Sequence, residues 1–494
     1  MSARKSNKQT KRNRRSSKKK QKQATSVDAA AGTLCTRFSS AQLLAQFTKL
    51  LPASLLVGWL ACAPKAFYQR AFTPLITLWY IIFQRLQPQH TLSKVISDAR
   101  CGGADCLSQA NKCLSKQLRS LSTAAFSKAR SRFPVDLLSK TLRHSAHEIR
   151  SWAKGLKWEG WNIALLDGST FRLRPLGDIA KTFPPHRPGN TKKDPYWCLV
   201  RVVCAFCLNS GVLLDCAMGD LTFSEQVLSA QLLNVGCWAK WIFVGDRNFG
   251  VYSVIRSITA AHAQALVRLT EVRASKLAKQ VGLKLRHGLD VAITWTPSSH
   301  DKCPLGLEPL PVAGRLLAIR VQMPGFRPQL LILFTTLTDQ SLYTALQLAQ
   351  LYAERWQIEL YLRYVKTQMG MEFLECKSAD MARKEWLAGL IAYNLIRSIM
   401  VAAAARSLIS VKLLSFSRTA ELFHDWLIRW LMDPSKTLSW EQLLKDVAAC
   451  RQPRRGKPRP SEPRAVRKFH RDFQELLGDR AAAQETLRIS NAKS

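Results

Sequence analysis

The chain has 494 residues, enough for about two to four domains at roughly 100–200 residues each and for a large buried core. Lys and Arg number 74 against 34 Asp and Glu, a net charge of +40, while 47% of the residues are hydrophobic. That balance excludes a small disulfide-stapled peptide and a disordered basic protein, and it points first to a polyanionic partner, of which nucleic acid is the commonest.

Residues 1–23 contain eleven Lys and Arg and no acid, so a solvated basic tail is expected over 1–26, either a plain charge run or an arm that tracks phosphates in a salt-dependent way. The apolar stretches 50–64 and 72–83 are interrupted by Pro52, Pro64 and Pro74. Both fall short of the roughly 18–20 residues of a spanning helix, so they read as buried segments rather than membrane spans. No apolar run follows the basic start at secretory spacing, and a cytoplasmic protein is expected. Helical periodicity runs from 34 to 155, with turn signals at 87–89, 102–105 and 133–136. His144 and His147 lie one helical turn apart without a third ligand and read as an exposed helix face.

Around Ile163 the pattern changes to short apolar runs at 162–167, 198–208, 211–218, 240–246 and 263–269, read as buried strands, with a helix over 224–236. Further strands are predicted at 291–297, 315–323 and 330–337, and a long helical region begins near Leu342. The stretch 451–468 is rich in proline and basic residues and reads as extended. Thirteen scattered cysteines suggest no disulfide framework, and Cys204 and Cys207, inside an apolar strand, read as small buried hydrophobes. Phosphate-loop, dinucleotide, zinc-protease and nucleophile-elbow motifs do not occur, which argues against ATP-driven or dinucleotide chemistry.

Acids stand out against this background. Asp167 closes the run NIALLD before Gly168-Ser169-Thr170, and Asp246 closes KWIFVGD before Arg247-Asn248-Phe249-Gly250, so both are expected at strand ends, where ligands collect in α/β sheets. In LYAERWQIELYLRYVK, read as one helix over 351–366, Tyr352, Arg355, Glu359 and Lys366 fall within about 60° of one another at about 100° per residue. Leu351, Ile358, Leu362 and Val365 form an adjoining apolar face. Two aspartates and a glutamate suit hard divalent cations. Two such ions could activate a hydroxyl and stabilise the leaving oxygen of an in-line phosphodiester displacement. Asp178, Asp215, Asp220 and Glu225 are nearby alternatives.

At this point the chain resembles the DDE transposases of bacterial insertion sequences, in the branch marked by Tyr-x2-Arg-x3-Glu-x6-Lys, which stands here as Tyr352, Arg355, Glu359 and Lys366. DGSTFRL (167–173) resembles the first acidic motif of that family, FVGDRNFG (243–250) its second, and 371–397 the segment after its glutamate. The resemblance implies an α/β, ribonuclease H-like catalytic domain over 156–275 and 339–405, with a β-rich insertion over 276–338. It further implies an all-helical DNA-end-binding domain over 27–155, a helical region over 406–450, and a basic, proline-rich tail with a short helix over 451–494. Asp167, Asp246 and Glu359 would be catalytic and would bind Mg2+ or Mn2+, with two ions. Tyr352, Arg355 and Lys366 would contact DNA, as would Arg247, and Trp295 in the insertion would either stack an unpaired base or, the reading favoured by what strands normally contain, pack within its strand.

The activity so implied is metal-dependent cutting at the terminal inverted repeats and joining of the freed 3′-hydroxyls to target DNA. It would be performed by a homodimer on double-stranded DNA in the bacterial cytoplasm, associated with the nucleoid and with no membrane partner. The rival readings are a non-catalytic DNA-binding descendant of a transposase and a stand-alone metal-dependent nuclease.

Overall fold

Runs of Val, Ile, Leu and Phe bury on both faces only when they pair centrally in a sheet, and that requirement organises the molecule. The computed structural model describes residues 71–432 and 439–452 apart from breaks at 87–89, 109–112, 154–156, 186–196, 237, 300, 302 and 322–328, together with Leu50, Leu56, Gly58, Trp59, Ala482 and Glu485. The basic segment 1–26, most of the apolar stretch 50–64 and nearly all of the tail from 451 lie outside the described residues.

The strands are β1 (Asn162–Leu173), β2 (Cys198–Cys207), β3 (Leu213–Gly219), β4 (Trp241–Gly245), β5 (Gln264–Arg268), β6 (Leu289–Trp295), β7 (Val312–Val321), β8 (Gln329–Thr335) and β9 (Phe373–Leu374). They form one nine-stranded sheet in the order β3-β2-β1-β4-β5-β8-β7-β6, with β9 on β1. β2 runs antiparallel to both β1 and β3, whereas β4 and β5 run parallel to β1. β8 joins β5 antiparallel and carries β7 and β6 with it, so strands contributed by 276–338 extend the central sheet. Cys204 and Cys207 are 1% and 8% exposed in β2, packed as small apolar residues.

Helices cover the sheet: α1 (Pro74–Leu86), α2 (Leu92–Arg100), α3 (Ala124–Arg132) and α4 (Val135–Trp152) precede it. α5 (Glu225–Val235), α6 (Tyr252–Ala260), α7 (Glu271–Gln280), α8 (Ala345–Ala353) and α9 (Gln357–Arg363) are interleaved with the strands. α10 (Ala379–Arg406), α11 (Phe416–Met432) and α12 (Trp440–Ala449) follow. His144 and His147 both lie on α4, with His147 exposed and the His144 ring edge-on to Trp59. α10 is long and apolar enough to cross a bilayer, yet its apolar window is wholly buried inside the protein. It packs against α1, α4 and α12 and stacks Trp386 on Phe171 of β1 at 4.6 Å between ring centroids. The Ser378 hydroxyl caps its start by accepting from the Met381 N–H.

Two local expectations are corrected. Asp167 does not end its strand. β2 pairs with β1 continuously from Ala164↔Cys207 to Leu173↔Cys198, so Gly168-Ser169-Thr170, which resembles a turn, is held extended by its neighbour. The helix expected over 351–366 is broken: α8 ends at Ala353, a 3₁₀ turn spans Glu354–Trp356, and a π-helical turn spans Tyr364–Gln368 after α9. The apolar face is nevertheless as read, with Leu351, Ile358, Leu362 and Val365 all buried.

A buried ionic knot ties the N-terminal helices to α10. Glu385, 7% exposed, accepts from Arg85 of α1 and from Arg130 of α3, the latter at 3.1 Å. Removing one member of such a set strands the remaining buried charges, a loss of about 3–5 kcal/mol. Glu385→Ala is therefore expected to unfold at clearly lower urea concentration, with Glu385→Gln intermediate. Unfolding midpoints unchanged in both would show that the knot contributes nothing.

Candidate active site

The site follows from an irregularity in pairing. β1 pairs with β4 from Asn162↔Trp241 to Leu166↔Gly245, and with β9 only at Arg172↔Phe373 and Leu173↔Leu374. Between these neighbours, 167–171 have no strand on that edge among the described residues. Asp167 is the first residue of the gap, and Asp246 is the first residue past the end of β4. Side chains alternate faces along a strand, and Leu165 pairs with Val244, so continuing the register by one pleat sets Asp167 and Asp246 side by side on one face. Each has one carboxylate oxygen committed locally. Asp167 Oδ1 accepts from the Gly168 N–H at 2.8 Å, and Asp246 Oδ1 accepts from the Asn248 N–H at 2.8 Å.

Burial pushes the Asp167 carboxyl up to about 6, the charges of Asp246 and Glu225 add to that, and the Gly168 N–H and Arg355 oppose it. Arg355 is the cation that faces Asp167 and Glu359. Its guanidinium lies 3.9 Å from Asp167 Oδ2 and 2.8 Å from Glu359 Oε1, so Glu359 meets Asp167 through Arg355 rather than directly. Burial works against the Arg355 charge, but Glu359, Tyr352 and Asp167 outweigh it and raise its pKa. Tyr352 is buried beside Arg355, and its phenol is raised by burial. Glu359 is exposed. Lys366 lies in the π-helical turn and forms no ion pair with the three acids among the described residues. Arg247 is exposed and lines a cleft of about 330 Å³ beside Asp246, with Gln226, Asn248, Thr270 and Arg273.

Mg2+ is generally held by one or two carboxylates together with waters and substrate phosphates, rather than by an all-protein cage. The Asp167–Asp246 pair fits that donor set: each offers a hard oxygen that accepts no backbone hydrogen bond, that of Asp167 facing Arg355 at 3.9 Å. Among the described residues, no group of three or more His, Cys, Asp or Glu side chains could hold a metal ion. The three acids brought together by sequence reading therefore divide into an adjacent aspartate pair and a glutamate tied to Arg355.

The other acids have structural partners. Asp215 pairs with Arg143 at 2.8 Å, Asp178 accepts from the Ala379 N–H at 2.9 Å, and Asp220 accepts from the Thr222 N–H at 2.7 Å. Glu225 differs. It opens α5 and accepts from the Asn248 side chain, and burial and Asp246 both push its carboxyl up. Sequence alone offers Glu225 only as a spare acid; the Asn two residues after Asp246, a residue type that readily ties turns, is the signal for its partner.

Of the two readings of Trp295, base stacking and strand packing, its surroundings support packing. Its ring is 6% exposed in β6, edge-on to Phe334 at 5.1 Å and tilted against Tyr252 at 6.3 Å. A ring so covered has no face free for a base, and Trp295 is a packing residue of the sheet extension.

Residues 159–395 match the family model described as Transposase DDE domain. The chain is 25% identical over 287 residues to the transposase InsG for insertion sequence element IS4 of Escherichia coli (strain K12), across 57% of this chain and 62% of that protein's length. It thus spans somewhat under two thirds of that relative. A cryo-EM structure of the piggyBac transposase synaptic complex with hairpin DNA aligns with a TM-score of 0.38 and 10% identity, over 82% of this chain and 84% of that one.

Truncating a buried tryptophan costs about 3–5 kcal/mol, so Trp295→Ala is expected to lower the unfolding midpoint substantially. Affinity for DNA, measured well below that midpoint, should stay close to wild type. A selective loss of DNA binding with unchanged stability would restore Trp295 to the DNA interface.

Proposed function

Residues 159–395 form a DDE-type transposase domain, and on that premise we propose that the chain cuts DNA at the terminal inverted repeats of an insertion sequence and joins the 3′-hydroxyl ends to target DNA. The observation that carries the reading is the adjacency of Asp167 and Asp246 at the end of a parallel strand pair, with Arg355 alongside. The three antiparallel strands β3-β2-β1, continued by parallel β4 and β5, support a ribonuclease H-like catalytic domain. The Tyr352, Arg355, Glu359 and Lys366 spacing supports the Tyr-x2-Arg-x3-Glu-x6-Lys branch.

In this reading Asp167 and Asp246 hold divalent cation, Mg2+ or Mn2+, and Glu359 joins them. Two ions, when bound, supply activation of the attacking hydroxyl and stabilisation of the leaving oxygen. Arg355 has the planar donors to grip a backbone phosphate, and engaging one would loosen its hold on Glu359. Tyr352, buried beside Arg355, helps keep the guanidinium at the site. Arg247 and Lys366 contact the DNA backbone. The N-terminal helices recognise the element's ends, the basic tail adds salt-dependent affinity, and two chains pair the two ends in a homodimeric complex in the cytoplasm.

The test is gel analysis of labelled inverted-repeat DNA with and without Mg2+, which separates binding alone, nicking alone and strand joining. Asp167→Asn, Asp246→Asn and Glu359→Gln are each expected to keep end binding while nicking falls by about a hundredfold or more, as follows when several kcal/mol of transition-state stabilisation is withdrawn. Normal nicking by any one of them removes that residue from the site, and binding without Mg2+-dependent nicking by the wild type would favour a non-catalytic DNA-binding protein.

A further inference from the structure

Glu225 takes no part in the reaction proposed above, yet it touches both elements that carry the aspartates. On one side its carboxyl group lies against Gly168, where an added Cβ would come within 2.2 Å of the Glu225 carboxyl carbon. Any side chain at 168 would therefore expel the carboxylate. On the other side Glu225 accepts a hydrogen bond from Asn248 Nδ2. Asn248 is itself fully engaged. Its backbone N–H donates to Asp246 Oδ1 at 2.8 Å, and its side-chain and backbone oxygens accept from Gln226 Nε2 at 2.7 and 3.0 Å. Consecutive residues of α5, Glu225 and Gln226, thus grip the turn that aims Asp246, while Glu225 also abuts the residue after Asp167.

Direction decides between brace and ligand. Neighbouring residues of a strand point to opposite faces, so Gly168 turns away from the face that Asp167 shares with Asp246, and Glu225 reaches the open edge of β1 from behind it. That placement agrees with the absence of a three-ligand group among the described residues. We infer that Glu225, acting through Asn248 and Gly168, is a positioning residue that sets the spacing of the Asp167 and Asp246 carboxylates for a divalent cation. The inference rests on the reading of those two aspartates given above.

The experiment uses the full chain with Mn2+ as probe, its binding followed by electron paramagnetic resonance without DNA, beside nicking of labelled inverted-repeat DNA. Glu225→Ala, Asn248→Ala and Gly168→Ala should each weaken Mn2+ binding by about 10–100-fold, the range found when outer-shell partners of metal ligands are removed. Excess Mn2+ should restore nicking in each. Glu225→Gln keeps an oxygen for Asn248 and should recover most of the affinity lost in Glu225→Ala, and the Glu225→Ala/Asn248→Ala pair should bind no worse than the weaker single variant.

If Glu225→Gln binds Mn2+ as poorly as Glu225→Ala, the charge rather than the brace is required and the inference fails. It fails equally if Glu225→Ala binds like wild type. Gly168→Ala, whose new methyl displaces only the end of a flexible side chain, keeps the test open should Glu225→Ala not fold. Asp167→Asn run in parallel separates the two levels: normal nicking there overturns the proposed function. A dead Asp167→Asn with brace variants that bind Mn2+ normally overturns only the role of Glu225.

Discussion

The site depends on β1 changing neighbours along one edge while keeping a single neighbour on the other. β2 holds the strand straight through Leu173, whereas β4 stops opposite Leu166 and β9 begins only at Arg172. A strand supported on one side and bare on the other presents side chains at a fixed height beside an open crevice, which is where α/β sheets place ligands. Asp167 occupies the first position of the gap. Because β4 is parallel and in register, the chain leaving it delivers Asp246 to the same level. Neither placement needs a special local conformation at the aspartates, only the mismatch in strand length.

Electrostatics then gives the place its chemical character. In a chain with 74 basic and 34 acidic residues, carboxylates crowd together here, and burial together with Asp246 and Glu225 holds Asp167 at about 6. Like charges at close quarters raise one another's pKa unless a cation intervenes. Arg355 supplies part of that compensation from a short 3₁₀ turn between α8 and α9, and it does so by binding Glu359 at the same time. The result is a glutamate kept on call beside an aspartate pair. The rigid backing for this arrangement is α10, whose Trp386 stacks on Phe171 in the stretch of β1 that has β2 as its one strand neighbour among the described residues.

Most of the scaffold was legible from sequence because its signals are local. The apolar runs at 198–208, 240–246, 263–269 and 330–337 correspond to β2, β4, β5 and β8, and the run over 224–236 to α5 with its Ser224 cap. What sequence could not disclose depends on contacts between distant residues. Gly168-Ser169-Thr170 has turn composition, and only pairing with Thr170↔Arg201 and its neighbours makes it strand. The breaks around α9 replace the single regular helix expected there, while Arg355 and Glu359 keep their contact. A tryptophan in a strand can face a base or a core, and Phe334 and Tyr252 decide for the core at Trp295. The hold of Glu225 on Gly168 and Asn248 spans three elements and has no signature in any one of them.

The most direct measurement is an anomalous difference map from crystals of the full chain grown with Mn2+. A peak is expected between Asp167 Oδ2 and Asp246 Oδ2, at about 2.0–2.2 Å from each, the range for carboxylate oxygens on small divalent ions. Mn2+ ordered elsewhere on the chain, with neither aspartate in its coordination sphere, would contradict the assignment of these two residues as the cation-binding pair.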